Sequence, residues 1–275
     1  MTGLFPEYQE TSITEPLRQG DVLEATAPGA SFWERHLLVL TADCDLARGK
    51  HRGRVTCVPL LTAPEYLLEM KVPVLRERAQ SKFVAELRKV LPPEAPNISD
   101  ERLKLWPCEA EPAEIISALG LDGKAAGATK AALESIRLVS NETLSLDEAI
   151  DALIESQATA PNAPKRQTIV NKVLDALRSP YSSPPGDALF LSSIAPENTF
   201  GYFAYLRHLE QIEESDIAIG PSRTATSYRR IARLRDRYTH ALVQQFALVF
   251  MSIGLPPAYE EMRALHSEFM GENYL

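Results

Sequence analysis

Cysteine is scarce in this 275-residue chain: Cys44, Cys57 and Cys108 are all it has, an odd number set far apart. No Cys-x-x-Cys and no Cys/His metal-ligand spacing occurs. Neither a disulfide framework nor a metal centre is expected, and free thiols in a reducing compartment are. Long apolar runs are missing as well. The longest, Phe246-Ala247-Leu248-Val249-Phe250-Met251, is far short of the roughly 20 residues that a membrane-spanning helix needs. Met1 to Gly20 is polar and carries Glu7, Glu10 and Glu15, which does not fit a signal peptide. The expectation is a soluble, cytoplasmic protein with no membrane partner and no cofactor. Positive charge is also in deficit, with 29 Lys and Arg against 37 Asp and Glu and a net charge of −8. That argues against a protein coated in nucleic acid, because neutralising phosphates takes clustered Lys and Arg. Internal repeats and low-complexity tracts are lacking.

What the chain does contain is a β-prone N-terminal stretch. Gly20-Asp21-Val22-Leu23 begins the first strand, and Pro28-Gly29 marks the turn that follows. Leu37 to Thr41 is a continuous apolar run, as a strand buried on both faces would be. Ala47 to Arg54 holds Gly49 and Gly53 among Arg48, Lys50, His51, Arg52 and Arg54, which reads as an exposed cationic hairpin loop. Val55 to Leu60 is the third strand, and Pro59 suggests that it lies at an edge or ends there.

From about Pro64 helical spacing takes over. Glu65–Met70 and Leu75–Leu91 are read as helices, with Pro92-Pro93 as a stop. Further helices follow from Ser99, over Glu111–Leu119 and Ala125–Val139, from Ser145 to about Ser156, and over Lys165–Leu177. Ser145 with Glu148 fits a capping box. The Pro-rich stretch Ser179 to Gly186 reads as a break. The joints near Pro92, Pro161 and Pro184 suggest mobility between parts.

β texture returns at Ala188–Leu191 and at Gly201–Leu206, which is rich in strand-favouring aromatics; Ile212 and Ile217–Ile219 suggest short strand or 3₁₀ pieces. A last helix is read over 227–253, because Ile231, Leu234, Tyr238, Leu242, Phe246, Val249 and Phe250 form one stripe. Gly254 and Pro256 then end it. The expected fold class is α+β. A small β-barrel built from residues 19–62 and 187–220 is interrupted by a helical insertion over 65–180. The long C-terminal helix packs on the barrel.

Residues 20–62 resemble the MazF/PemK toxin family. The family opens with Gly-Asp-hydrophobic, matched by Gly20-Asp21-Val22. It continues with Arg-Pro and an apolar strand ending in Ser or Thr; here Arg35-His36 precedes Leu37 to Thr41. A variable loop leads to a strand ending in Val-Pro-Leu and Thr, matched by Val58-Pro59-Leu60-Leu61-Thr62. The resemblance implies an SH3-like barrel. It also implies metal-independent, sequence-selective RNA cleavage, in which Arg35 stabilises phosphorane charge and Thr62 orients the scissile phosphate. His36 stands in for Pro and is added as an acid or base, since imidazole titrates near neutrality. The chain departs from the family in its loop Gly29–Glu34, in the extra Leu61, and in its large insertion.

Two basic sites are candidates for phosphate. One is the loop carrying Arg48, Lys50, Arg52 and Arg54. The other is the run from Arg223 to Arg237, where Arg229, Arg230, Arg233 and Arg237 would share one helix face. A solvated face is the alternative for the run. Asp43-Cys44-Asp45 reads as a turn whose carboxylates cap backbone donors and whose Cys is buried, or as a divalent-ion site. Trp33 reads as a base-stacking residue or as an aromatic that closes the barrel. His240 and His266 lack partners in register and read as ordinary histidines. Two functions compete. One is a non-catalytic interaction or regulatory module of a toxin–antitoxin-like or defence assembly, with partner proteins. The other is an endoribonuclease with RNA as its substrate. Exposed barrel edges allow a homodimer under either.

Overall fold

A computed structural model describes residues 6–12, 14–91, 98–143, 145–160, 163–219 and 226–251, together with 258, 261, 262 and 265. Pro92-Pro93, Pro161, Arg223, Gly254, Pro256 and His266 lie outside the described residues.

The strands are β1 (Tyr8–Gln9), β2 (Asp21–Ala25), β3 (His36–Val39), β4 (Arg54–Thr62), β5 (Ala188–Leu191), β6 (Tyr202–Tyr205), β7 (Glu210–Glu213), β8 (Ile217–Ala218) and β9 (Tyr228–Leu234). They form one curled, largely antiparallel sheet in the order β1-β9-β2-β3-β4-β6-β5, with β7 also on β4 and β8 parallel to β9. The fold is α+β, a half-barrel sheet carrying helices. The expected strands at both ends of the sequence do pair with one another. β4 is a central strand rather than an edge. Pro59 falls between the residues that pair with β7 and those that pair with β6, where a missing N–H leaves the ladder intact.

The sheet path leaves two outer strands, β1 and β5, and a carboxylate links them. Glu7 Oε1 accepts the Ser192 backbone N–H at 2.9 Å. Its Oε2 accepts the hydroxyls of Ser192 at 2.7 Å and Ser193 at 3.2 Å. Burial alone would raise this carboxyl's pKa, but the hydrogen bonds from Ser192 and Ser193 outweigh it and leave the pKa lowered.

Gly20 owes its identity to two constraints. Its φ is +87°, and a Cβ there would lie 2.4 Å from Thr239 Oγ1. The glycine lets β2 pass directly under the C-terminal helix.

The expected long helix over 227–253 is corrected. Tyr228–Leu234 is strand β9, antiparallel to β2, and the helix α10 spans Asp236–Phe250. The ladder shifts by one residue between Val22 and Leu23, a β-bulge that leaves Ile231 without a Cα partner on β2. The bulge has a chemical result. Residues three apart on a regular strand point to opposite faces, yet Arg230 and Arg233 both reach Asp21.

The helices before α10 are α1 (Phe32–Arg35), α2 (Asp43–Ala47), α3 (Ala63–Tyr66), α4 (Val72–Val90), α5 (Asp100–Glu109), α6 (Pro112–Ala118), α7 (Gly123–Ser140), α8 (Leu146–Ala158) and α9 (Arg166–Ser182). A π-helical turn over Leu67–Lys71 joins α3 to α4 without a break. α9 runs through Pro180 to Ser182, so the expected break comes later, at Pro184-Pro185. The insertion shares one apolar core with the sheet: Phe83, Leu87, Ile136 and Leu153 are continuous with Leu61, Ala188 and Phe203. Tyr66 stacks on Phe203 with centroids 4.1 Å apart. On one sheet face Val22, Leu38, Leu60 and Ala232 pack with Leu242 of α10; on the other Leu23, Leu37, Val39 and Ile217 form a smaller core. Among the described residues, no helix is long and apolar enough to cross a membrane.

Candidate functional site

Arg35 closes α1 and His36 opens β3, so the two point in different directions from a helix-to-strand junction. Thr62 closes β4 and caps α3. Its Oγ1 accepts the Glu65 N–H at 3.5 Å, and Glu65 Oε2 accepts the Thr62 N–H at 2.9 Å, a capping box with Pro64 in the first turn. The second carboxylate oxygen of Glu65 accepts Arg35 Nη1 at 2.8 Å. One carboxylate therefore ties Arg35 to Thr62. The pair is partly exposed and contributes at most about 1 kcal/mol to stability. Its value is positional.

His36 is 6% exposed. Its Nε2 lies 3.0 Å from Asn198 Nδ2 and 3.6 Å from Glu24 Oε1, and its ring meets Tyr202 edge-on at 5.7 Å. Burial is the main cause that lowers its pKa, and Glu24 opposes it. Burial favours the neutral imidazole, and its tautomer with the proton on Nδ1 lets Nε2 accept from the Asn198 amide. Glu24 is itself held by Arg229, at 2.5 Å. The partners are Glu65 for Arg35 and Thr62, the two residues picked out by the resemblance, and Glu24 and Asn198 for His36. Sequence reasoning missed these three partners; only Glu65 left a signal, the Thr62-x-x-Glu65 spacing of a capping box.

The basic loop is as exposed as expected. Gly49, Arg52 and Gly53 all take positive φ there, and Arg52 is the one non-glycine to do so among the described residues. Arg54 meets Glu213 at 3.1 Å and Lys50 meets Asp45 at 3.8 Å, while Arg48 and Arg52 have no ion pair among the described residues. His51 pins the loop from beneath. Its Nδ1–H donates to the Asp45 carbonyl at 3.1 Å and its Nε2 meets Glu214 Oε2 at 2.8 Å, which raises its pKa. Lys50, Arg52 and Arg54 border an open concavity of about 530 Å³ whose other walls include Thr41, Thr56 and Phe246.

The arginine run is different in kind from the helix face expected. Arg229, Arg230 and Arg233 are on a strand; Arg237 is on α10, over the Tyr238 ring at 4.9 Å. The side chains of Arg230 and Arg233 are 2% and 3% exposed. Arg233 Nε donates to Asp21 Oδ1 at 2.5 Å, and its Nη1 meets Glu15 at 2.7 Å. Arg230 donates to Asp21 and to the carbonyls of Ser12, Glu15 and Pro16. These two guanidiniums fasten the N-terminal segment to the sheet and offer no free face to phosphate.

Asp43 accepts from the Gln19 N–H and pairs with Arg18 at 2.7 Å; it opens helix α2 rather than a turn. Cys44 is exposed, against expectation, whereas Cys57 is buried and burial pushes its thiol far up. Trp33 stacks on His208, centroids 4.8 Å apart, and packs against the helical core. Among the described residues no group of three His, Cys, Asp or Glu is placed to hold a metal ion. No family model, no curated protein and no solved structure matches the chain.

Proposed function

We propose that this chain is a non-catalytic interaction module, built on a MazF/PemK-like SH3-type barrel and acting within a toxin–antitoxin-like or defence assembly. The observation that carries the reading is Glu65. Its carboxylate holds Arg35, the cation that the resemblance assigns to a scissile phosphate, and the backbone N–H of Thr62, whose hydroxyl accepts the Glu65 N–H. A carboxylate at that point repels a phosphate and neutralises the cation that would draw it in. His36, the acid or base of a cleaving site, is enclosed and held by Asn198. What the surface does offer is the loop with unpaired Arg48 and Arg52, suited to an acidic face of a partner protein.

The ribonuclease reading keeps one observation in its favour: Arg35 and Thr62 meet at one carboxylate, and the charges of Arg35 and Glu65 reach the neighbouring His36. The experiment that separates the two is incubation of mixed-sequence single-stranded RNA with the folded protein and with Arg35→Ala, with and without Mg²⁺. The interaction module leaves the RNA intact in every arm. A ribonuclease cleaves without metal and loses cleavage in the variant.

A further inference from the structure

Helix α4 borders a long trough in the helical body. At one end Leu75, Leu153 and Val173 line a concavity of about 220 Å³, and at the other Phe83, Ala128 and Ala132 line one of about 580 Å³. Lys82 and Gln157 border both, so the two form one channel. From Leu75 to Val90 it follows α4 for about 22 Å, at the helical rise of 1.5 Å per residue. The channel is open because Lys124, Ala128 and Ala132 recur every four residues on α7 and share one face, where two methyl side chains leave the space unfilled.

The floor is apolar and the rim is cationic. Arg78 and Lys172 stand at the narrow end, Lys82 in the middle and Lys124 at the wide end, and none of them has an ion pair among the described residues; the one carboxylate in the described lining, Glu86, is paired with Lys89. In a chain of net charge −8 this is a local reversal. The spread of charge selects the occupant. An amphiphile with a single anionic head needs cations at one end only. Cations along the whole rim fit an amphipathic segment with carboxylates on its flanks.

The chain carries such a segment. In residues 258–272, Ala258, Met262, Leu265 and Phe269 recur at helical spacing, flanked by Glu260, Glu261, Glu268 and Glu272. A helix of that length measures about 22 Å. Ala258, Glu261, Met262 and Leu265 are helical and exposed, with Met262 at 54% and Leu265 at 53%. These apolar side chains are therefore not seated in the trough of their own copy. We propose that residues 258–272 of one copy occupy the α4 trough of a second copy, and that reciprocal exchange gives a two-fold dimer.

Sedimentation equilibrium of full-length chains tests this. The wild type is a dimer. Lys82→Glu with Lys124→Glu weakens the dimer by about tenfold or more, as does Glu261→Lys with Glu268→Lys, because each puts like charges together. Leu265→Asp, a change on an exposed side chain, weakens it as well. Mixing the two charge-reversed proteins restores a dimer of near wild-type affinity, since both of its contacts are again between opposite charges. Misfolding cannot produce that rescue. A monomeric wild type, variants that dimerise like the wild type, or a mixture without rescue overturns the proposal.

Discussion

Asp21 and Arg233 face each other in register between β2 and β9, and Arg233 Nε lies 2.5 Å from Asp21 Oδ1 with both side chains shut away from solvent. Asp21 also accepts from Arg230 at 3.2 Å and from the Arg18 backbone N–H at 2.8 Å. Removing the carboxylate leaves the buried Arg230 without a counter-ion and the buried Arg233 with Glu15 alone. Asp21→Ala is expected to destabilise the fold by about 3–5 kcal/mol, read by urea unfolding. Replacing all three charges, Asp21→Leu with Arg230→Met and Arg233→Met, is expected to recover much of that loss. Arg48→Ala, on an exposed and unpaired side chain, should change stability by less than about 0.5 kcal/mol.

Gly20 predicts a second stability effect with its own control. Gly20→Ala places a methyl against Thr239 and forces an L-residue to a φ of +87°, at a cost of about 2 kcal/mol or more. Adding Thr239→Ala removes the contacts at 2.4 and 3.1 Å and leaves the one to Cβ at 3.3 Å and the backbone strain. The double variant should therefore be more stable than Gly20→Ala and less stable than Thr239→Ala.

Glu7 links the two outer strands, and its pKa lies below the ordinary 4.5. A lowered carboxyl contributes stability that is present above its unfolded pKa and lost as pH falls through the folded value. Glu7→Gln should therefore cost stability at neutral pH and much less near pH 3. Denaturation curves at the two pH values check this. Equal losses at both would show that the carboxylate's charge is irrelevant to the closure.

Two histidines should titrate on opposite sides of 6.5. Burial lowers His36, whereas the Glu214 carboxylate and the Asp45 carbonyl raise His51. The linkage signs differ. His36 binds its proton more readily when unfolded, so it favours the fold above 6.5 and weakens it as pH drops below that value. His51 favours the fold fully below 6.5, and this contribution is lost as pH rises through its folded pKa. Proton NMR of the imidazole signals, assigned with His36→Gln and His51→Gln, measures both. Glu214→Gln should bring His51 down toward 6.5 and leave His36 in place.

The apolar runs at Val22-Leu23, Leu37–Val39 and Val55–Leu61 are legible as strands because each is short and almost wholly apolar, a local pattern that holds whatever distant residues cover it. The error at Tyr228–Leu234 shows what was not legible. Ile231, Leu234, Tyr238 and Leu242 do fall on a helical stripe, but β2 offers an open edge and a buried carboxylate more than 200 residues away. That pairing decides the conformation, and periodicity within the segment carries no trace of it. The same holds for the site. Arg35 and Thr62 are named by the motif, and the Thr62-x-x-Glu65 spacing announces the capping box that joins Glu65 to Thr62. Glu24 faces His36 across the β2–β3 pair, but Asn198 reaches His36, and Arg229 reaches Glu24, only after distant parts of the chain come together. The arginine run was misread in charge as well as in structure, since its two central members are buried counter-ions.

The most direct measurement is RNA integrity after incubation with the wild type, Arg35→Ala and Thr62→Ala, in chelator and in Mg²⁺, with circular dichroism confirming that all three are folded. The account predicts intact RNA in every arm, because the Glu65 carboxylate already holds the cation. Metal-independent cleavage by the wild type that both substitutions abolish would contradict it.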